Sequence, residues 1–240
     1  MNREKIHNSL VSQVVQNYDN VRSQLALHAR PEISPQIIVV TKNQPVHLIK
    51  QLIAHLPRPI FGENRIQEAL PKIEACQTAS QSVEWHFIGT LQRNKVKRAL
   101  GRFSLIQSLD RLSLAKEIDK RAEQQNIDHV NCLLQIDVSR DGSKSGVIAD
   151  IDTIKQFLRQ CEELSRLQIL GLMTMAPWLP PEETRPYFKQ MAQIFLTLQG
   201  LSLPSNVRME ILSMGMSNDY YVAVQEGANM IRLGTVLFGK

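Results

Sequence analysis

Short apolar or β-branched runs recur along the chain, at 37–40, 59–62, 84–88, 103–108, 131–138, 169–175, 209–214 and 230–233. Runs of this length read as strands buried on both faces. Between them, Val46, Ile49, Ile53 and Leu56 are spaced three, four and three, the stripe of an amphipathic helix. Ile151, Ile154, Leu158 and Cys161 repeat the pattern, as do Leu112, Ala115 and Ile118. Strands that alternate with helices pair in parallel through crossover connections. Eight such units in a chain of 240 residues predict an α/β fold, a single (β/α)8 barrel.

The two ends qualify that picture. Lys240 comes soon after the eighth strand, which leaves no room for a closing helix. Ahead of the first strand, Ile6, Leu10, Val14, Tyr18, Val21 and Leu25 form a long amphipathic stripe. An extra N-terminal helix is therefore expected over the gap left by the missing last helix. The rival architecture, a doubly wound open sheet, calls for a glycine-rich turn after the first strand. Here that turn reads Val-Thr-Lys-Asn-Gln-Pro at 40–45, without glycine. No repeat, linker or shift in composition divides the chain, so one domain over 1–240 is expected, with no C-terminal β-domain. The most loop-like stretch is 139–146.

Composition narrows the class. With 43% hydrophobic and 21% charged residues the chain is neither disordered nor fibrous. No apolar run approaches the roughly 18 residues of a membrane span, and the start lacks a secretory leader pattern. Cys76, Cys132 and Cys161 are odd in number and lack metal-ligand spacing, which suits a reducing compartment, so a cytoplasmic protein without a metal is expected. The net charge of +5 includes one dense cluster, Arg93, Lys95, Lys97 and Arg98 with Arg102 beyond. Without interleaved aromatics it reads as a solvated helix face rather than a nucleic-acid surface.

In a barrel of this kind chemistry sits just past the C-terminal ends of the strands. The first strand is followed there by Lys42, a surface charge or an amine able to form a Schiff base. The seventh runs into Ser213-Met-Gly215-Met-Ser217-Asn-Asp219, the eighth into Arg232-Leu-Gly234-Thr235. Loops after the last two strands are this fold's usual phosphate site. Ser217 is placed to N-cap the next helix, with Gly227 closing it. Gly234 allows close backbone approach, and Thr235 adds a hydroxyl. The alternative is that Gly215 and Gly234 only serve tight turns. A lysine opposite phosphate donors suits pyridoxal 5'-phosphate, or an aldolase acting on a phosphorylated sugar. Arg232 favours the former, because a guanidinium is a permanent donor toward a pyridine nitrogen.

Several longer motifs then carry a resemblance. They are Val-Val-Thr-Lys-Asn-Gln-Pro at 39–45, Phe-Gly-Glu-Asn-Arg-Ile-Gln-Glu at 61–68, and Trp-His-Phe-Ile-Gly-Thr-Leu-Gln-Arg-Asn-Lys at 85–95. Gly-Leu-Met-Thr-Met-Ala-Pro at 171–177, Leu-Ser-Met-Gly-Met-Ser at 212–217 and Ile-Arg-Leu-Gly-Thr at 231–235 complete the set. In these the chain resembles the pyridoxal phosphate homeostasis protein family, relatives of the alanine racemase N-terminal barrel. The resemblance implies a Schiff base on Lys42, phosphate binding at Ser217, Gly234 and Thr235, and Arg232 at the pyridine nitrogen. It places Asn64 and His86 on the cofactor face, and Met214 and Gly215 in the turn before the phosphate loop. Departures occur at Thr41, where Ser is frequent, at Gln107, where His is common, and at Asp137, where Asn is usual. None touches the lysine, the arginine or the phosphate loop.

Other residues read plainly. His7, His47, His55 and His129 are expected at the surface, Trp85 and Trp178 in packing, and Met173 and Met175 as barrel filler. Asp150, Asp152, Glu162 and Glu163 read as helix surface. A racemase needs two bases flanking Cα, and Lys42 alone is evident. The expected function is accordingly a carrier and regulator of pyridoxal phosphate, a monomer without catalytic residues that serves apo forms of pyridoxal enzymes. A slow single-domain racemase or lyase is the alternative, and an interaction protein using the basic 93–102 surface a third.

Overall fold

In the computed structural model, parallel strands alternate with helices as the periodicities require. It describes residues 3–30, 32–77, 83–139 and 145–239, with side chains from Leu10 onward. The elements are α1 (Arg3–His28), β1 (Gln36–Val40), α2 (Val46–His55), β2 (Ile60–Glu63), α3 (Ile66–Cys76), β3 (Glu84–Phe87), α4 (Val96–Ala99) and β4 (Leu105–Leu109). There follow α5 (Leu112–Gln124), β5 (Val130–Asp137), β6 (Val147–Ile148), α6 (Ile151–Gln160), β7 (Leu167–Thr174), α7 (Arg185–Gln199), β8 (Val207–Met216), α8 (Tyr220–Gln225), β9 (Met230–Leu233) and α9 (Thr235–Phe238). Strands β1, β2, β3, β4, β5, β7, β8 and β9 pair in parallel, and the β1–β9 and β4–β5 ladders close the ring. This is the eight-stranded barrel expected. β6 is an addition of two residues that extends β5 outside the ring, with Ile136 opposite Val147. It adjoins the loop-like stretch 139–146, of which 140–144 lie outside the described residues.

The pleat sends alternate residues to opposite sides of the wall. Ile38, Leu105, Leu133, Met173 and Met230 fill the lower interior, with Met175 packed against them. The outward set, including Val39, Phe61, Phe87, Ile106 and Leu134, joins the helices in the larger core. Trp85 is buried beside Phe61, ring centroids 5.1 Å apart, so it packs as expected. α6 begins at Asp150, whose carboxylate accepts from Thr153 N at 2.9 Å and from Thr153 Oγ1 at 2.8 Å. That acid is a helix cap rather than plain surface.

Both ends refine the expectation. α1 buries Val11, Val14, Tyr18, Val21 and Leu25 and lies against α2, α8 and α9. The side chains of Ile6 and His7 lie outside the described residues. A closing helix does exist, the single turn α9, and Asn17 Nδ2 donates to Leu237 O at 2.9 Å to tie it to α1. The N-terminal helix thus covers the position that one turn cannot fill. Among the described residues no helix is long and apolar enough to cross a membrane.

Candidate functional site

The mouth of the barrel is built from the segments that follow each strand. Lys42 follows β1 and is exposed. It occupies a turn closed by Gln44 N donating to Thr41 O at 3.0 Å, with Asn43 at φ +62°, a conformation that asparagine tolerates. β9 is the neighbour of β1, with Val39 opposite Leu233. A Cβ on Gly234 would lie 3.6 Å from Val40 Cβ, so this glycine stands beside the residue two before Lys42. That is an ordinary contact at negative φ, so packing does not itself demand glycine there.

Ser217 departs from the expected capping role. α8 begins three residues later, after Asp219, whose carboxylate accepts from Met216 N at 2.6 Å. The Ser217 hydroxyl instead accepts from Gly234 N at 3.1 Å and from Val236 N at 3.3 Å. Two main-chain donors from the start of α9 therefore converge on one oxygen at the mouth. Two residues before Ser217, inside β8, stands Gly215. Its φ is +92°, and a Cβ would come within 2.6 Å of Ala223 Cβ, so glycine is required. Gly227, at φ +110°, closes α8 as expected. Thr235 is exposed beside the two donors.

Above the apolar floor the interior becomes polar. His86, Gln107, Gln135, Ser213 and Arg232 are all buried. Arg232 donates through Nη1 to Ser213 Oγ at 2.6 Å and through Nη2 to Thr174 O at 2.8 Å. Ser213 in turn donates to Gln107 Oε1 at 2.7 Å, and Gln107 Nε2 lies 3.1 Å from His86 Nδ1. With the Gln107 amide as donor, the proton of His86 sits on Nε2, facing Glu84 at 3.8 Å. Burial lowers the Arg232 pKa to about 10, which leaves the guanidinium charged at neutral pH. His86 thus belongs to a chain that crosses the barrel. Asn64, half-buried, directly follows β2.

A second cluster escaped the sequence reading. Lys72 of α3 is buried and donates to Glu63 Oε1 at 2.7 Å and to Thr41 O at 2.8 Å. Thr41 Oγ1 donates to the same carboxylate oxygen at 2.7 Å. The available signal was a lysine on the inner stripe of α3, among Ile66, Ala69, Ile73 and Cys76. Elsewhere, His47, His55 and His129 are exposed, as are Arg93, Lys97, Arg98 and Arg102, with Lys95 half-buried. Arg93 lies 3.6 Å from Glu117. Trp178 is 83% exposed, not packed as expected, because it falls in the loop beyond β7. Burial drives the thiols of Cys132 and Cys161 upward, the latter to about 12, so both stay protonated.

A closed eight-stranded parallel barrel with helices between its strands is the fold of the alanine racemase N-terminal domain. The family model described by that name matches residues 11–240. The chain belongs to this family and, within it, to the pyridoxal phosphate homeostasis proteins. It is 41% identical over 212 residues to the pyridoxal phosphate homeostasis protein of Aquifex aeolicus, covering 88% of this chain and 89% of that one. The Synechocystis protein of the same name is 40% identical over 207 residues, covering 86% and 91%. PipY of Synechococcus elongatus, solved with pyridoxal phosphate bound, superposes with a TM-score of 0.80 at 36% identity, over 94% of this chain and 100% of PipY. A Clostridium difficile alanine racemase shares the fold, with a TM-score of 0.68 at 14% identity. The match covers 95% of this chain and 56% of the racemase.

Proposed function

We infer that this chain binds pyridoxal 5'-phosphate and acts as a carrier and regulator in its homeostasis, with Lys42 as the covalent attachment point. The observation that carries the reading is the convergence of Gly234 N and Val236 N on the Ser217 hydroxyl, on the strand next to Lys42. Two main-chain donors aimed at one oxygen fit a phosphate oxygen as well as a hydroxyl. The phosphate is assigned to these donors with Ser217, Gly234 and Thr235. Arg232 is assigned to the pyridine nitrogen, and Asn64 and His86 to the ring face. When bound, the cofactor supplies an aldehyde that condenses with amines and a ring that withdraws electrons.

The residues do the rest of the work. Lys42 offers its amine from an exposed turn, open to exchange with solvent and partners. Arg232 keeps its proton at neutral pH and so acts as a donor only. Because racemisation needs a base on each face of Cα, a rim with Lys42 as its assigned base suits holding and release better than turnover. Relatives named for homeostasis support the non-catalytic reading. We read residues 1–240 as one barrel domain, a cytoplasmic monomer that hands cofactor to apo forms of pyridoxal enzymes. Closure of the eight-stranded ring leaves the two-residue β6 as the one strand edge among the described residues, too short to seat a partner strand, and the free thiols suit a reducing compartment.

Borohydride reduction of the purified protein in the presence of pyridoxal phosphate, followed by peptide mapping, tests the assignment. The adduct is expected on Lys42, and Lys42→Ala should lose it without losing the fold. A dominant adduct on another lysine would overturn the attachment point. A stable dimer that racemises amino acids well above the rate of free cofactor would replace the carrier by an enzyme.

A further inference from the structure

Thr41, the residue before Lys42, is held at every polar atom. Its N–H donates to Gly62 O at 3.0 Å and its hydroxyl to Glu63 Oε1 at 2.7 Å. Its carbonyl accepts from Lys72 Nζ at 2.8 Å and from Gln44 N at 3.0 Å. The bond from Gln44 closes the turn whose two central residues are Lys42 and Asn43. The carbonyl gripped by the Lys72 ammonium is therefore the anchor of the turn that presents Lys42. Thr41 and Glu63 are fully buried and Lys72 is 6% exposed, so the pair sits between the barrel wall and α3.

A buried ion pair is a poor device for stability, since apolar residues of like volume commonly do as well or better. Glu63 Oε2 also finds no hydrogen-bond partner, so this pair is not arranged to recover the full cost of its burial. Its geometry serves something else. A protonated lysine donates in several directions at once, here to the carboxylate and to the turn carbonyl. The carboxylate takes the threonine hydroxyl, so β2 and α3 together lock one residue. The Thr41 side chain is thereby committed to the α3 side, and Lys42 follows it as the first central residue of the turn.

We propose that the Glu63–Lys72 ion pair is a positioning device that fixes the turn carrying Lys42 and so sets how fast and how firmly that lysine takes the cofactor aldehyde. Lys72 and Glu63 are positioning residues, acting through Thr41. The proposal rests on the assignment of Lys42 above, and Lys42→Ala serves as the control that tests that assignment separately.

The test compares wild type, Glu63→Gln/Lys72→Met, Lys72→Arg, Thr41→Val and Lys42→Ala with two probes. Pyridoxal 5'-phosphate reads binding together with covalent attachment. Pyridoxine 5'-phosphate lacks the aldehyde and reads the phosphate and ring contacts alone. The double variant removes both charges while keeping the shape, and is expected to attach pyridoxal phosphate at least tenfold more slowly. Its affinity for pyridoxine phosphate should match wild type. Thr41→Val, which loses only the hydroxyl, should slow attachment a few-fold, and Lys72→Arg should restore part of the rate. A folded double variant with wild-type attachment overturns the proposal. Equal loss for both probes, or loss of the fold in the double variant, makes the pair a structural element and overturns it as well. Covalent attachment that survives in Lys42→Ala instead overturns the assignment of the lysine.

Discussion

The two sides of the barrel mouth are held by different physics. On the β1–β2 side the chain is fixed by side chains, with a buried ammonium and carboxylate clamping Thr41 ahead of Lys42. On the β8–β9 side the donors are main-chain groups, the N–H groups of Gly234 and Val236 meeting the Ser217 hydroxyl, beyond Gly215 at positive φ in β8. Charge-based positioning is directional and tunable, and one substitution at either partner disturbs it. Backbone donors carry no titrating group, and a side-chain change removes only what the side chain adds. The lysine proposed to make a covalent bond stands on the first kind of support, and the group proposed to hold an anion stands on the second.

The largest expected effect would break the comparison on the backbone side. Ser217→Ala with Thr235→Ala removes the two hydroxyls proposed as donors to phosphate, each bond worth about 1.5–3 kcal/mol. Each single variant should hold pyridoxal phosphate roughly ten- to a hundredfold more weakly and the double variant roughly a hundred- to ten-thousandfold, with pyridoxine phosphate weakened alike, as read by equilibrium dialysis. Unchanged affinity would place the phosphate elsewhere on the mouth. A loss confined to pyridoxal phosphate would mean that the two sides are not separable.

A smaller effect concerns the wall away from both sides. Burial raises the pKa of Cys132 and Cys161 above 9.0, so the unfolded chain gives up these protons before the folded one does. The thiols' contribution is then fully present below pH 9 and is lost as pH rises toward about 12. Near pH 10 each thiol should account for a loss of about 1 kcal/mol, seen as a falling Tm. Replacing both cysteines by alanine should flatten that slope and leave cofactor binding at neutral pH unchanged. A slope that persists would assign the alkaline loss to other groups.

The smallest effect sharpens the contrast by leaving the mouth alone. Asp150→Ala removes the cap of α6 and should lower stability by about 1 kcal/mol in denaturant unfolding. Affinity for pyridoxal phosphate should not move. A coupled fall in affinity would show that helix stability far from the rim reaches the site.

The sequence by itself determined the barrel, because strand and helix periods are local properties of the chain and eight of each leave few ways to pair. It also singled out the residues proposed to carry chemistry, since Lys42, Ser217, Arg232, Gly234 and Thr235 lie just past strand ends or close within them, and a parallel barrel collects those ends on one face. Tertiary structure alone decided how they are supported. Ser217 could be read as a cap for the following helix, but the closed barrel sets it beside the donors of α9, 17 and 19 residues on by chain but adjacent in space. The one-turn α9 was invisible because four residues carry no period, and its stability comes from contact with α1. The Glu63–Lys72 pair was hidden for the same reason. Hydrophobic periodicity says which face of α3 turns inward, but not that a lysine on that face meets a carboxylate nine residues away on a neighbouring strand. Burial makes that meeting obligatory, and burial exists only once the barrel has closed.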